Sequence, residues 1–287
     1  MKITEKHLAD FEKSLFDEEK AENTISKYTR DVRRFVNFIG DNEITKPLMI
    51  EYKNWLKNNY KLSSANSMIA AVNKFMDFAG LVELKLKQFR FQREVYISEN
   101  RELTKEEYFR LVKTAYGRSQ ALGLIIESIA STGIRISELK FITVESLAPA
   151  EFIVSNKGKS RRVMMPNELC SKLRRYVKEN KIKSGSVFVG RNGNPVNRTA
   201  IWKQMKALCK IAGINPSKVF PHNLRHLFAR CFYNAERDIV KLADVLGHGN
   251  INTTHIYLLT TGREHRRILD SLGLIVKTDI VYVHPGG

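Results

Sequence analysis

Between Leu84 and Asn100 the chain loses its helical period. The stretch KLKQFRFQREVYISEN is charged, mildly alternating and free of helix caps or Gly/Pro punctuation. That pattern suits an extended connector between separately folded parts, and a lone strand would look the same. Helical periodicity stands on both sides of it. The sequence therefore predicts a domain over residues 1–83, a linker over 84–100 and a second domain over 101–287; with 287 residues the chain can bury two cores.

The first part reads as four helices joined by short polar loops. Thr4 to Phe16 carries Leu8, Phe11 and Leu15 at helical spacing. Asn23 or Thr24 is placed to cap a second helix, which runs through Ile25, Tyr28, Val32, Phe35, Val36 and Ile39 to Gly40. A third, Lys46 to Asn58, has Pro47 in its first turn and is expected to bury Ile50, Trp55 and Leu56. The fourth starts near Ser63 or Ser64 and shows Ile69, Val72, Phe75, Met76 and Ala79 before Gly80.

After the linker, Thr104-Lys105-Glu106-Glu107 is a capping box. A strongly apolar helix over 118–131 follows, Gly133 interrupts it, and Ile134 to Phe141 continues as a short helix. Then the period changes. Phe152-Ile153-Val154 and Arg162-Val163-Met164-Met165 are strand-like runs flanking the turn Asn156-Lys157-Gly158-Lys159-Ser160. Helices resume at Asn167–Glu179, Asn197–Ala212, Pro221–Asn234, Asp238–Leu246 and from about Asn252. The tail, LIVKTDIVYVHPGG, alternates like a strand. The fold class is mainly α, with one small antiparallel sheet in the second domain.

Charge narrows the partner. Lys plus Arg number 48 against 30 Asp plus Glu, a formal +18. Up to Gln92 there are 16 basic and 13 acidic residues, and from Arg93 onward 32 against 17. A basic field of that size points to a polyanion, with duplex nucleic acid the leading candidate. A merely soluble basic protein would share it. No apolar run approaches ~20 residues, so no membrane span is expected. Three cysteines in neither CxxC nor finger spacing, with no apolar leader, point to a reducing compartment and the cytoplasm.

The richest chemistry lies in Pro221 to Leu259. His222 and Arg225, three apart, share a helix face; His248 follows in a Leu-Gly-His turn and Tyr257 nine residues later. Imidazoles, a guanidinium and a phenol suit a phosphate, because the cations hold anionic oxygens and the phenol can attack phosphorus. Elsewhere, Arg135 sits in STGIRISEL, where Glu138 is spaced to orient it. Lys157 stands in a basic hairpin turn with Lys159, Arg161 and Arg162. Each has a bland reading alone: His222 as a cap, His226 as a core histidine, His248 as a helix stop, Tyr257 as packing.

In order, STGIRISEL, NKGKSRR, HNLRH, LGH and a tyrosine nine residues after that histidine resemble the tyrosine recombinase (phage integrase) family. The resemblance extends to about Leu272 and includes the plan of a small helical domain, a linker and a larger mixed domain. It implies that Arg135, His222, Arg225 and His248 surround a scissile phosphate, that Tyr257 is the nucleophile and that Lys157 is the general acid. Glu138 supports Arg135, and Lys159, Arg161 and Arg162 are expected DNA contacts. It further implies double-stranded DNA as partner and a homotetramer on two sites exchanging strands through a Holliday junction, with a second recombinase or an accessory DNA-bending protein as further partners. The chain looks like the compact Xer-type members, since no extra arm-binding domain precedes the four helices. The product would be a 3′-phosphotyrosyl link that conserves bond energy. No P-loop and no carboxylate metal cluster stands in the sequence, so neither cofactor nor metal is expected. The family would place a helix where the tail looks strand-like. A type IB topoisomerase-like relaxing enzyme, or a non-catalytic DNA-binding regulator, are the alternatives.

Overall fold

The computed structural model describes residues 3–90, 101–156, 159–190, 193–258 and 262–272. The chain divides into two compact units, Met1–Arg93 and Glu94–Gly287.

The first unit is four helices: α1 (Glu5–Asp17), α2 (Glu22–Ile39), α3 (Lys46–Asn59) and α4 (Leu62–Phe78). Thr4 opens α1 with a capping box in which His7 takes the place usual for Glu. Asn23 and Thr24 are not caps: Ala21 is the N-cap and α2 starts at Glu22, so both lie inside it. Phe11, Phe35, Tyr52 and Phe75 meet in the core, with Phe11 edge-on to Phe75 at 5.2 Å. In α3 the buried stripe is Met49, Tyr52 and Leu56, whereas Ile50 stays 48% exposed. One residue on a helix is about 100° of rotation. That shift moves Ile50 off the core face, and Trp55 is half-buried on its edge, packed against Phe38.

The start of the expected linker belongs to this unit. The Asn73 side chain bonds both the N–H and the C=O of Leu86, at 2.9 and 2.8 Å, and Asn66 does the same for Phe89, at 2.7 and 2.9 Å. Two amides thus supply the partners a neighbouring strand would give. Leu86 is buried in the four-helix core. The remainder of the linker, 91–100, lies outside the described residues.

The second unit begins with α5 (Lys105–Arg118), opened by Thr104 and Glu107 in a reciprocal capping box, and α6 (Gln120–Thr132). Residues Ile136–Phe141 form a 3-10 turn where a helix was expected. Two strands, β1 (Glu151–Asn156) and β2 (Lys159–Met164), pair antiparallel with Val154 opposite Arg161 and Ile153 opposite Arg162. Then come α7 (Asn167–Glu179), α8 (Arg198–Ala212), α9 (Pro221–Glu236), α10 (Ile239–Leu246) and α11 (Ile251–His255). A 3-10 turn, Ile256–Leu258, carries Tyr257, and α12 (Gly262–Ser271) follows. The apolar faces of α5, α6, α7, α8 and α9 bury one core with the sheet. The fold is mostly helical with a two-stranded antiparallel sheet, as the sequence implied. The strand expected over 274–287 lies outside the described residues, among which no helix is long and apolar enough to cross a membrane.

Candidate active site

Helix α9 places the central cation. Pro221 occupies its first turn, where the missing N–H costs nothing. One turn on, Arg225 is buried at 1% exposure. Its guanidinium donates to Gly133 O at 2.5 Å, to Leu246 O at 2.7 Å and to His248 Nε2 at 2.9 Å. Gly133 and Gly247 end α6 and α10 at φ +67° each, so two helix ends with unused carbonyls face this arginine. Its Nε is buried without a partner. Burial lowers the Arg225 pKa to about 10, helped by the charge of Arg135, while Tyr257 and Glu138 oppose the shift. The group stays charged at neutral pH.

Arginine has no acceptor, so His248 Nε2 must accept from it. The proton of the neutral ring is then on Nδ1, which donates to Thr254 Oγ1 at 2.8 Å. Desolvation, then the charges of Arg225, Arg135 and Arg161, hold the His248 pKa down to about 4.

Tyr257 is buried at 4% exposure beside these groups. Its ring stacks 5.3 Å from His248, lies 4.2 Å from His226 and 5.3 Å from His222, and sits 6.0 Å from the Arg225 guanidinium. His226 is also edge-on to His222 at 4.9 Å, and burial with the nearby charge of His222 pushes its pKa down to about 4. His222 has one side open to solvent but is crowded on the other; desolvation, then Arg225 and Arg135, lowers its pKa. The same helix is clipped down by Asn223, which donates to Arg101 O and Lys218 O, both at 2.7 Å.

Arg135 faces His222 across a cleft of about 490 Å³ whose walls include Arg198, Trp202 and Arg225. Glu138, 2% exposed, accepts from the Arg135 backbone N–H at 2.8 Å and from its guanidinium at 2.9 Å. Arg161 grips the same carboxylate through two nitrogens, at 2.8 and 3.2 Å. Burial alone would raise the Glu138 pKa; the bonds from Arg161 and the Arg135 N–H outweigh it and bring the value below the usual carboxylate range.

A family model described as the phage integrase family matches residues 101–262, and one described as the phage integrase N-terminal SAM-like domain matches residues 8–81. The chain belongs to the phage integrase family. It is a DNA-breaking and rejoining enzyme of the tyrosine recombinase kind. Tyrosine recombinase XerA of Thermococcus kodakarensis is 28% identical over 279 residues, covering 94% of this chain and 96% of the relative. Tyrosine recombinase XerD of Vibrio cholerae is 26% identical, covering 84% and 87%. Among solved structures, XerA recombinase is 27% identical with a TM-score of 0.52, covering 96% of this chain and 100% of the other. A lambda integrase dimer bound to a core site shares the fold at a TM-score of 0.72 and 17% identity, covering 91% and 96%.

Within this recombinase fold, Arg135, Glu138, His222, Arg225, His248 and Tyr257 are brought together from four segments of the second unit. Lys157 lies outside the described residues, and so does the side chain of Lys159. Arg162 is 66% exposed and meets Glu151 at 3.2 Å. Arg161, expected from sequence as a DNA contact, has a side chain 13% exposed that is turned inward onto Glu138. The reason is the hairpin register: Arg161 stands opposite Val154, which is 1% exposed, so both point at the core. Sequence reasoning passed over Thr254 and the ring contact of His226, which no spacing rule marks. For Arg161 the one sequence signal of an inward face is Val163, two residues on along the strand, and it does not name Glu138 as the partner. Among the described residues no group of three or more His, Cys, Asp or Glu is arranged to hold a metal ion.

Proposed function

We propose that this recombinase cuts duplex DNA at specific sites through a 3′-phosphotyrosyl intermediate with Tyr257 as nucleophile. One observation carries the reading: a buried, charged Arg225 with an unpartnered Nε donor lines one cleft with Arg135 and His222, and the Tyr257 ring lies 5.3 Å from His222 and 6.0 Å from the Arg225 guanidinium. A buried donor without an acceptor costs roughly 1–3 kcal/mol, and a bound phosphate oxygen would remove that cost.

In the proposed step the Tyr257 oxygen bonds to phosphorus and the bond to the 5′ oxygen breaks. The phenol proton goes to a histidine, and the leaving oxygen takes a proton from Lys157. His222 suits the first role better than His248, since both nitrogens of His248 are already engaged. Arg135 and Arg225 neutralise charge growing on the nonbridging oxygens. Rejoining reverses the step, so the backbone bond energy is retained. Four protomers would assemble on two sites and exchange strands through a Holliday junction, an arrangement taken from the family resemblance. XerH and the Tn1549 integrase, whose structures are described as bound to difH substrate and to transposon DNA, share the fold at TM-scores of 0.67 and 0.70.

The test is a nicked duplex built on the sequence that the purified chain enriches from a random library. The native chain should form a covalent adduct that Tyr257→Phe does not. An adduct that persists in Tyr257→Phe would overturn the assignment of the nucleophile. Binding without any adduct would favour a DNA-binding regulator.

A further inference from the structure

Arg161 has more invested in the protein than a surface charge does. Both terminal nitrogens of its guanidinium are on Glu138, at 2.8 and 3.2 Å, and its Nε donates to Val245 O at 3.2 Å. Its stem lies over Gly247, where an added Cβ would come within 2.7 Å of the Arg161 Cδ. Glu138 in turn holds Arg135 by backbone and side chain, and Gly247 immediately precedes His248. One side chain on β2 thereby joins two parts of the site that lie far apart in sequence. Every nitrogen of its guanidinium already has an acceptor within the protein, which leaves little for a DNA phosphate.

We infer that Arg161 is a positioning residue for strand cleavage: it locks the carboxylate that aims Arg135 and the turn that presents His248. This rests on reading the cleft as the scissile-phosphate site. A lysine at 161 would keep the charge, but its single nitrogen cannot span both carboxylate oxygens and the Val245 carbonyl. Arg135 would then swing on its half-exposed stem, and misplacement by about 1 Å is enough to slow a reaction on the order of 10²-fold.

The test compares Arg161→Lys with the native chain on the enriched nicked duplex, with either a normal or a neutral methylphosphonate group at the scissile position. DNA affinity and its salt dependence should stay the same, while adduct formation at saturating DNA falls on the order of 10²-fold. The loss should shrink on the methylphosphonate, because the charge that Arg135 meets is absent there. Weaker binding with a salt slope lower by about one contact, at unchanged cleavage, would mean a DNA contact and overturn the inference. An equal loss on both substrates would mean general damage to the fold and overturn it too. Should the native chain cut neither substrate, the proposed function fails separately. Calorimetry with inorganic vanadate then decides the role of Arg161: weaker binding in Arg161→Lys supports positioning, and equal binding overturns it.

Discussion

Glu138→Gln removes one charge from a buried trio while keeping its shape. Breaking a buried ion pair by neutralising one partner costs about 3–5 kcal/mol, because the other charge stays behind in a poor solvent. Here the two arginines do not count equally. Arg161 is 13% exposed and would be stranded, whereas Arg135 is 37% exposed and can turn to water, so its share falls to about 0–1 kcal/mol. The glutamine oxygen still accepts one bond, but its NH₂ faces a donor. The total lands near the low end, about 3 kcal/mol. For a unit of this size each kcal/mol moves Tm by roughly 2–4 °C, so the transition of the second unit should drop by roughly 6–12 °C at pH 7. Linkage adds a second signature. The folded pKa of Glu138 lies below its unfolded value near 4.3, so its contribution is fully present above that value. It is lost as pH falls through the folded pKa, and the gap between native and Glu138→Gln should close in acid. Scanning calorimetry from pH 7 to pH 3 measures both. A drop under about 2 °C at neutral pH, or a gap that acid leaves unchanged, refutes the trio as a buried ionic device.

Three further outcomes follow from the same geometry. Gly133→Ala puts a Cβ 2.4 Å from the Phe228 ring at φ +67°, and should destabilise by about 2–4 kcal/mol in urea; a native-like midpoint would show that the ring yields freely. Thr254→Val keeps the shape but leaves the His248 Nδ1 proton unpaired, a cost of about 1–3 kcal/mol, and should slow adduct formation. Nitrogen NMR of the native ring should show Nε2 unprotonated, and finding the proton there instead would reverse the tautomer. His226 and His248, both held down to about 4, should remain neutral in a proton NMR titration until well below their ordinary value. Between about 4 and 6.5 the unfolded chain binds more protons, so stability should fall as pH drops through that window. Midpoints near 6.5 would contradict the burial of these rings.

Much of the fold could be read locally. The Thr104 capping box, the periods of α1, α4 and α7, and the pairing of two short strands stand where the sequence puts them, because caps and periodicity act within a few residues. Where local signals compete, sequence reasoning slipped. Ile50 and Met49 are equally apolar, and only the surface that α3 packs against selects Met49. Residues 84–90 have no helical signal and look like free linker, yet Asn66 and Asn73, 23 and 13 positions away, tie them to α4.

For the site, the sequence alone determined the chemical inventory: two arginines, a lysine, the histidines, a carboxylate and a tyrosine, in an order that resembles one family. It could not determine who holds whom. Arg225 meets Gly133 across 92 residues and Leu246 across 21, and Arg161 meets Val245 across 84. Those pairings exist only when α6, α9, α10 and β2 pack together, since a guanidinium has no sequence-local preference among the carbonyl and carboxylate acceptors of the chain. Tertiary packing therefore decided that Arg161 pairs with Glu138, and that Tyr257 lies against three histidines with Arg225 close by.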